Sequence, residues 1–304
     1  MRHVDSMMET RAYLALPIAA GLVFAASAAL LKREKLGPAG VMLVTLLTNL
    51  GTAVGLSLFY GTLPVPRSID GLVAPLVAGS LFYAGQALTF EAVSRGDVSI
   101  AGPLLSTKVI FVPIVAAIIA VEAPTVSTLI AAVAGLMGGV MLQLGPKSSP
   151  KRLRATVLLS LAAVFSFSIF DVVVQRFGQQ NGAREFVPRA MIFATICSAV
   201  GMKLSRSARA APLPSSRPLK ALAFVATLMA IQAMLVVGTI AEYGDAAGVN
   251  VAYGTRGIWS IAVIAVFGKS LGISEFEGGR RQIILRLVAA TFILLALVVT
   301  LVRA

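Results

Sequence analysis

Ten apolar stretches fill this chain, each close to the roughly 20 residues that a helix needs to cross about 30 Å of hydrocarbon. They run over about 12–31, 39–60, 70–93, 98–121, 126–144, 153–175, 186–204, 219–241, 247–268 and 282–302. In lipid, every backbone N–H and C=O must find its partner inside the protein, so such stretches have to be helices. Composition agrees: of 304 residues 58% are hydrophobic and 13% charged, where a soluble domain carries about 25% charged. The expected fold is an all-α integral membrane protein with ten transmembrane helices. The first stretch, with Arg11 before it and Ala26-Ser27-Ala28 within it, has the outline of a signal peptide. Its length, and the recurrence of Phe24-x-x-Ser27 as Phe165-x-x-Ser168, read instead as a retained span.

The stretches repeat. Gly96-Asp97, Ser106-Thr107-Lys108 and Ile110-Phe111 fall on Gly244-Asp245, Gly254-Thr255-Arg256 and Ile258-Trp259 after a shift of about 148 residues. The chain therefore divides into 1–146 and 147–304, with five spans in each. An odd number of spans per copy forces the second into the membrane upside down, as in secondary transporters, where substrate binds near the midplane between the halves.

Lys108 and Arg256 occupy equivalent, central positions in this repeat. A cation at mid-membrane costs about 3 kcal/mol on insertion scales and asks for a reason. One reading has the two cations facing each other across a central cavity and holding an anion. The other has each neutralised by a nearby acid and serving only to pack the bundle. Thr107 precedes Lys108, and Tyr253, Arg256 and Ser260 share one helical face. Trp259, the only tryptophan, lies about one turn from Arg256. Asp171, deep in the sixth stretch, is either the structural partner of Lys108 or Arg256 or a proton-coupling carboxylate. Asn49, Gln86 and Gln232 sit at similar depth, where they either line a cavity wall or hydrogen-bond between helices. Pro103 and Pro113 loosen the helix that carries Lys108. Gly135-x-x-x-Gly139 reads as a close-packing face.

The formal net charge of +13 could suggest nucleic acid. Most of the cations, however, stand in short loops between apolar runs, where they set orientation and meet lipid headgroups. Lys32, Arg33, Lys35, Lys147, Lys151 and Arg152 belong to loops after odd-numbered spans, and the opposite side holds far fewer, among them Arg11, Arg67, Arg176 and Arg184. This bias puts the odd-numbered loops in the cytoplasm and both termini outside it. Ser205–Pro218 is the longest linker. With one cysteine (Cys197) and one histidine (His3), neither a disulfide nor a His/Cys metal centre is expected, and no cofactor.

Ala101-Gly102-Pro103-Leu104-Leu105-Ser106, Phe111-Val112-Pro113-Ile114, Val121-Glu122 and Gly135-x-x-Gly138-Gly139-Val140 together resemble the C-terminal part of an EamA repeat, from the drug/metabolite transporter superfamily. The resemblance covers about 70–144 and is weaker in the second half. It implies a ten-helix bundle working by alternating access. The sugar-phosphate and nucleotide-sugar carriers of that superfamily place basic residues on their fourth and ninth helices to hold a phosphate, as Lys108 and Arg256 are placed here. The adjacent Lys-Arg pair of the plastid carriers is missing, because Gly257 follows Arg256, and so is the nucleotide-sugar carriers' ninth-helix motif ending in Asn-Lys. Resemblance to the eukaryotic carriers also implies cytosolic termini, against the charge count.

The function expected is secondary transport of a small organic anion, a phosphate ester, nucleotide-like compound or carboxylate, by proton coupling or exchange, in a bacterial inner membrane. An exporter of amino acids or neutral metabolites, with both cations salt-bridged, is the alternative. A non-transporting scaffold is a further one. A lipid-modifying enzyme finds no metal motif, nucleophile elbow or phosphate loop in the chain.

Overall fold

The computed structural model describes residues 11–34, 37–61, 70–95, 104–105, 107–119, 124–141, 150–206, 216–267 and 279–302. Gly96, Asp97, Ala101, Gly102, Pro103, Ser106, Val121, Glu122 and residues 207–215 of the longest linker lie outside them.

Helices account for the described elements. After a short 3-10 turn at Ala12–Leu14 come α1 (Ala15–Arg33), α2 (Pro38–Tyr60), α3 (Asp70–Arg95), α4 (Lys108–Ile118), α5 (Val126–Met141) and α6 (Pro150–Asn181). The second half supplies α7 (Ala183–Leu204), α8 (Ser216–Tyr243), α9 (Ala246–Tyr253), α10 (Arg256–Phe267) and α11 (Gly279–Val302). Local sequence sets the boundaries. Pro38 opens α2 at a position where its missing N–H costs nothing, and Gly61, at φ 63°, closes the same helix in the left-handed conformation. Gly182, at φ 81°, reverses the chain between α6 and α7 in one residue.

Described helices fall in each of the ten expected segments. The ninth is not a single span but two helices, α9 and α10, interrupted at Gly254-Thr255. Among the described residues six helices are long and apolar enough to cross a membrane: α1, α2, α3, α6, α7 and α8. The apolar α4 and α5 are shorter. Large hydrophobic side chains point outward, Leu58, Ile118 and Leu158 among them, while small and polar ones such as Ala20, Ser27, Thr52 and Ala163 are buried. That distribution fits a multi-pass membrane protein, whose helices meet through small residues and hydrogen bonds because lipid offers no hydrophobic drive between them.

The principal helix contacts cross from residues 1–146 to residues 147–304. Helix α3 packs on α6 and α7, α8 on α1 and α2, α4 on α6, α10 on α1, α2 on α7, and α5 on α11. Exchanging the first five segments for the last five turns α3–α6 into α8–α1, α3–α7 into α8–α2, and α4–α6 into α10–α1. The α2–α7 and α5–α11 contacts map onto themselves. Both parts of the chain contribute to one main core, through residues such as Leu56, Val112, Phe170, Met191 and Ile240.

The small-residue face on α5 is used, through Gly135 and Gly138. A Cβ on Gly138 would come within 2.7 Å of the Ala289 carbonyl oxygen on α11, and one on Gly135 would stand 3.7 Å from Ala296. One end of the bundle is tied by backbone acceptors. Arg184 donates to the Tyr60 carbonyl at 2.9 Å, Gln179 to that of Ala241 at 2.7 Å, and Arg176 to that of Ile119 at 3.3 Å. The C-terminal ends of α2, α4, α6 and α8 therefore gather where α7 begins. Tyr13 brings the starts of α1 and α9 to the same assembly by donating to Asp245 at 2.7 Å.

Candidate functional site

Lys108 and Arg256 each open a helix after a break, and the breaks are built alike. Thr107 Oγ1 donates to the Leu104 carbonyl at 2.6 Å, and Thr255 Oγ1 to that of Ala252 at 2.7 Å. The Thr107 carbonyl accepts from Ile110 and Phe111 at 2.9 and 3.2 Å, and the Thr255 carbonyl from Ile258 and Trp259 at 2.9 and 3.1 Å. In both, a threonine hydroxyl satisfies a carbonyl in the preceding turn while its own carbonyl starts the next helix, so polar backbone at membrane depth is not left bare. At 1.5 Å per residue, Lys108 stands about 15 Å from the end of α4 and Arg256 about 15 Å from the start of α9.

Each cation also lies over a phenylalanine from the first helix of the opposite half. Lys108 Nζ is 5.4 Å from the centre of the Phe167 ring on α6, and Arg256 Cζ is 5.3 Å from that of Phe24 on α1. Where an ion is desolvated, such a contact is worth about 2 kcal/mol.

Beyond this point the two diverge. Lys108 Nζ makes an ion pair with Asp171 Oδ2 at 2.7 Å, with side-chain exposures of 19% and 2%. The same oxygen accepts from Asn250 Nδ2 at 2.6 Å, and Asn250 also donates to the Ala246 carbonyl at 2.7 Å. One turn further along α6, Gln175 accepts from the Ala246 N–H at 3.3 Å. Asp171 and Gln175 thereby clamp α9 to α6, and Asp171 joins the broken fourth and ninth segments. A buried pair this well hydrogen-bonded recovers much of its desolvation cost, and losing one partner would leave the other charge stranded.

Arg256 has no carboxylate partner among the described residues. Aromatic rings surround it instead: its Cζ is 4.6 Å from the centre of the Tyr253 ring, which is itself edge-on to Phe24 at 6.1 Å. Tyr253 is buried, with its hydroxyl within hydrogen-bonding reach of Arg256, and one turn earlier on α9 Asn250 bonds to Asp171, so α9 links the two half-sites. Close approach of α1 is possible because residue 21 is glycine. A Cβ there would come 3.0 Å from the Arg256 backbone N and 3.3 Å from Trp259 Cδ1.

Of the remaining expected residues, Ser260 turns its hydroxyl back to the Arg256 carbonyl at 2.8 Å. Trp259 buries its indole Nε1 without a hydrogen-bond partner among the described residues. Asn49 and Gln86 bond to each other, with Asn49 Nδ2 donating to Gln86 Oε1 at 2.9 Å and Gln86 Nε2 donating to Asn49 Oδ1 at 3.3 Å. Asn49 also donates to Ser198 at 2.8 Å. These two residues tie α2, α3 and α7 together by interhelical hydrogen bonds. A recess between α2 and α8, lined by Leu47, Gly51, Gly55, Ala226, Ala230 and Met234, is apolar and lies apart from the cations.

Sequence reasoning passed over Phe24 and Phe167 as cation platforms and Asn250 as a ligand of Asp171. Asn250 had a visible signal, because it stands three residues, one turn, before Tyr253 on the same helix. Phe167 stands one turn before Asp171 and shares its face.

No protein-family model matches the chain, and no curated protein sequence does. Its fold is shared with solved structures. One of them superposes with a TM-score of 0.69 at 16% identity, over 95% of this chain and 96% of the other. At that identity the likeness concerns the fold alone.

Proposed function

We propose that this chain is a secondary transporter of the drug/metabolite transporter superfamily, moving a small organic anion across a cytoplasmic membrane by alternating access. The observation that carries the reading is Arg256: a guanidinium half-way along an interrupted segment, walled by Phe24 and Tyr253, with no carboxylate beside it among the described residues. Nothing in packing alone requires so costly a group there. A fold stabilised by ordinary helix contacts could place leucine at 256, whereas a binding site for an anion needs the charge.

Two further features support transport over a scaffold role. Helix contacts that interchange when the halves are swapped are what an inverted repeat of five plus five spans requires, and such repeats place their site at the midplane between the copies. The interrupted segments that carry the cations follow the rule that irregular backbone at membrane depth lines protein or water. The alternative, an exporter of amino acids or neutral metabolites, needs a carboxylate on both cations, and among the described residues Asp171 serves one.

Purified protein in liposomes, offered labelled organic anions and neutral metabolites of matched size, tests the reading. Saturable uptake of one or more anions, abolished in Arg256→Gln, is expected. Equal uptake of neutral solutes by wild type and Arg256→Gln would refute it.

A further inference from the structure

Resting on that reading, we infer that the site is built for a monovalent anion with a flat carboxylate head, and that Asp171 sets this valence by cancelling the charge of Lys108. The two cations offer two positive charges on paper. In the molecule Lys108 is 2.7 Å from Asp171, whose carboxylate is all but fully buried. This half of the site is electrically closed, and Asn250 completes the carboxylate's coordination. Among the described residues of the site, one uncompensated charge remains, on Arg256. A ligand with two negative charges would bring one of them into a low-dielectric site with no partner, whereas a single negative charge balances the site.

The shape of the remaining donor set points to a carboxylate. A guanidinium held over aromatic rings keeps its in-plane N–H groups for an acceptor, and two of these in parallel match the two oxygens of a carboxylate. The Phe24 and Tyr253 rings stand around Arg256; the Tyr253 hydroxyl lies within hydrogen-bonding reach of the guanidinium and engages part of its donor set, and Phe24 offers no acceptor, so N–H groups remain for a ligand. Three residues on from Arg256, the buried indole N–H of Trp259 has no acceptor among the described residues and is a further donor on the same turn.

Trp259, as the only tryptophan, is also the reporter. Its fluorescence is followed in purified full-length protein titrated with propionate, succinate, glycerol 3-phosphate and glycerol. Propionate is expected to change the signal saturably, with succinate and glycerol 3-phosphate weaker by at least about tenfold and glycerol without effect. Asp171→Asn raises the site to two positive charges and should shift preference toward glycerol 3-phosphate by about tenfold or more. Tighter binding of either dianion than of propionate by wild type overturns the inference while leaving an anion carrier standing. An unchanged preference in a folded Asp171→Asn overturns the role given to Asp171. A wild-type signal that responds to no anion overturns both the inference and the carrier reading.

Discussion

Lys108 and Arg256 stand in backbone frames that are nearly superimposable hydrogen bond for hydrogen bond, yet one is neutralised and the other is not. The difference traces to the helices that face them. Four residues after Phe167, on α6, stands Asp171; four residues after Phe24, on α1, stands Ala28. Helix α1 holds no acidic residue at all. The same kind of aromatic platform thus stands under both cations, and a counter-ion stands beside one of them. A single carboxylate ties Lys108 into a structural clamp, and no carboxylate among the described residues does the same for Arg256.

This contrast can be broken from its clamped side with the largest effect. Asp171→Ala should destabilise the protein by about 3–5 kcal/mol, because Lys108 is then buried without a partner. Unfolding in a denaturing detergent titration measures it. The double variant Lys108→Gln with Asp171→Asn should recover most of that loss, since no charge is left stranded. A double variant no more stable than Asp171→Ala would show that the pair is held for some other reason.

The α1–α10 contact comes next. Gly21→Leu places bulk against the Arg256 backbone, where even a Cβ would stand at 3.0 Å, and should cost about 1–3 kcal/mol by overpacking and displace Arg256. Transport should fall with stability in this variant. Full activity would mean that Arg256 does not depend on the close approach of α1.

The smallest effect is expected away from the cations. Gln86→Ala removes hydrogen bonds with Asn49 and should cost about 0.6 kcal/mol, the typical worth of one interhelical bond in a membrane. Substrate preference should not change. An altered preference would bring Gln86 and Asn49 into the binding site as well as the packing.

Much of this was legible in the residues. Ten apolar stretches announce ten helical segments, and the shift of about 148 residues brings the two Thr-cation steps into register. What the residues left open was decided by packing between distant elements. Asp171 could have served either cation; it serves Lys108 because α6 lies against α4, whereas Arg256 lies against α1. Asn49 and Gln86 were equally suited to a cavity wall, and they are joined because α2, α3 and α7 meet at that depth. The break in the ninth segment had a local signal in Gly254-Thr255, but a glycine in an apolar run marks a close contact as readily as an interruption.

The claim that Lys108 and Arg256 have parted in role meets its most direct test in one comparison. Uptake of labelled propionate into proteoliposomes is measured for Arg256→Gln and for the charge-neutral double variant Lys108→Gln with Asp171→Asn. Arg256→Gln should lose about 100-fold, the worth of two charge-assisted hydrogen bonds at about 1.5 kcal/mol each. The double variant should stay within about tenfold of wild type, because the net charge of the site is unchanged. Uptake that survives Arg256→Gln and collapses in the double variant would contradict the assignment.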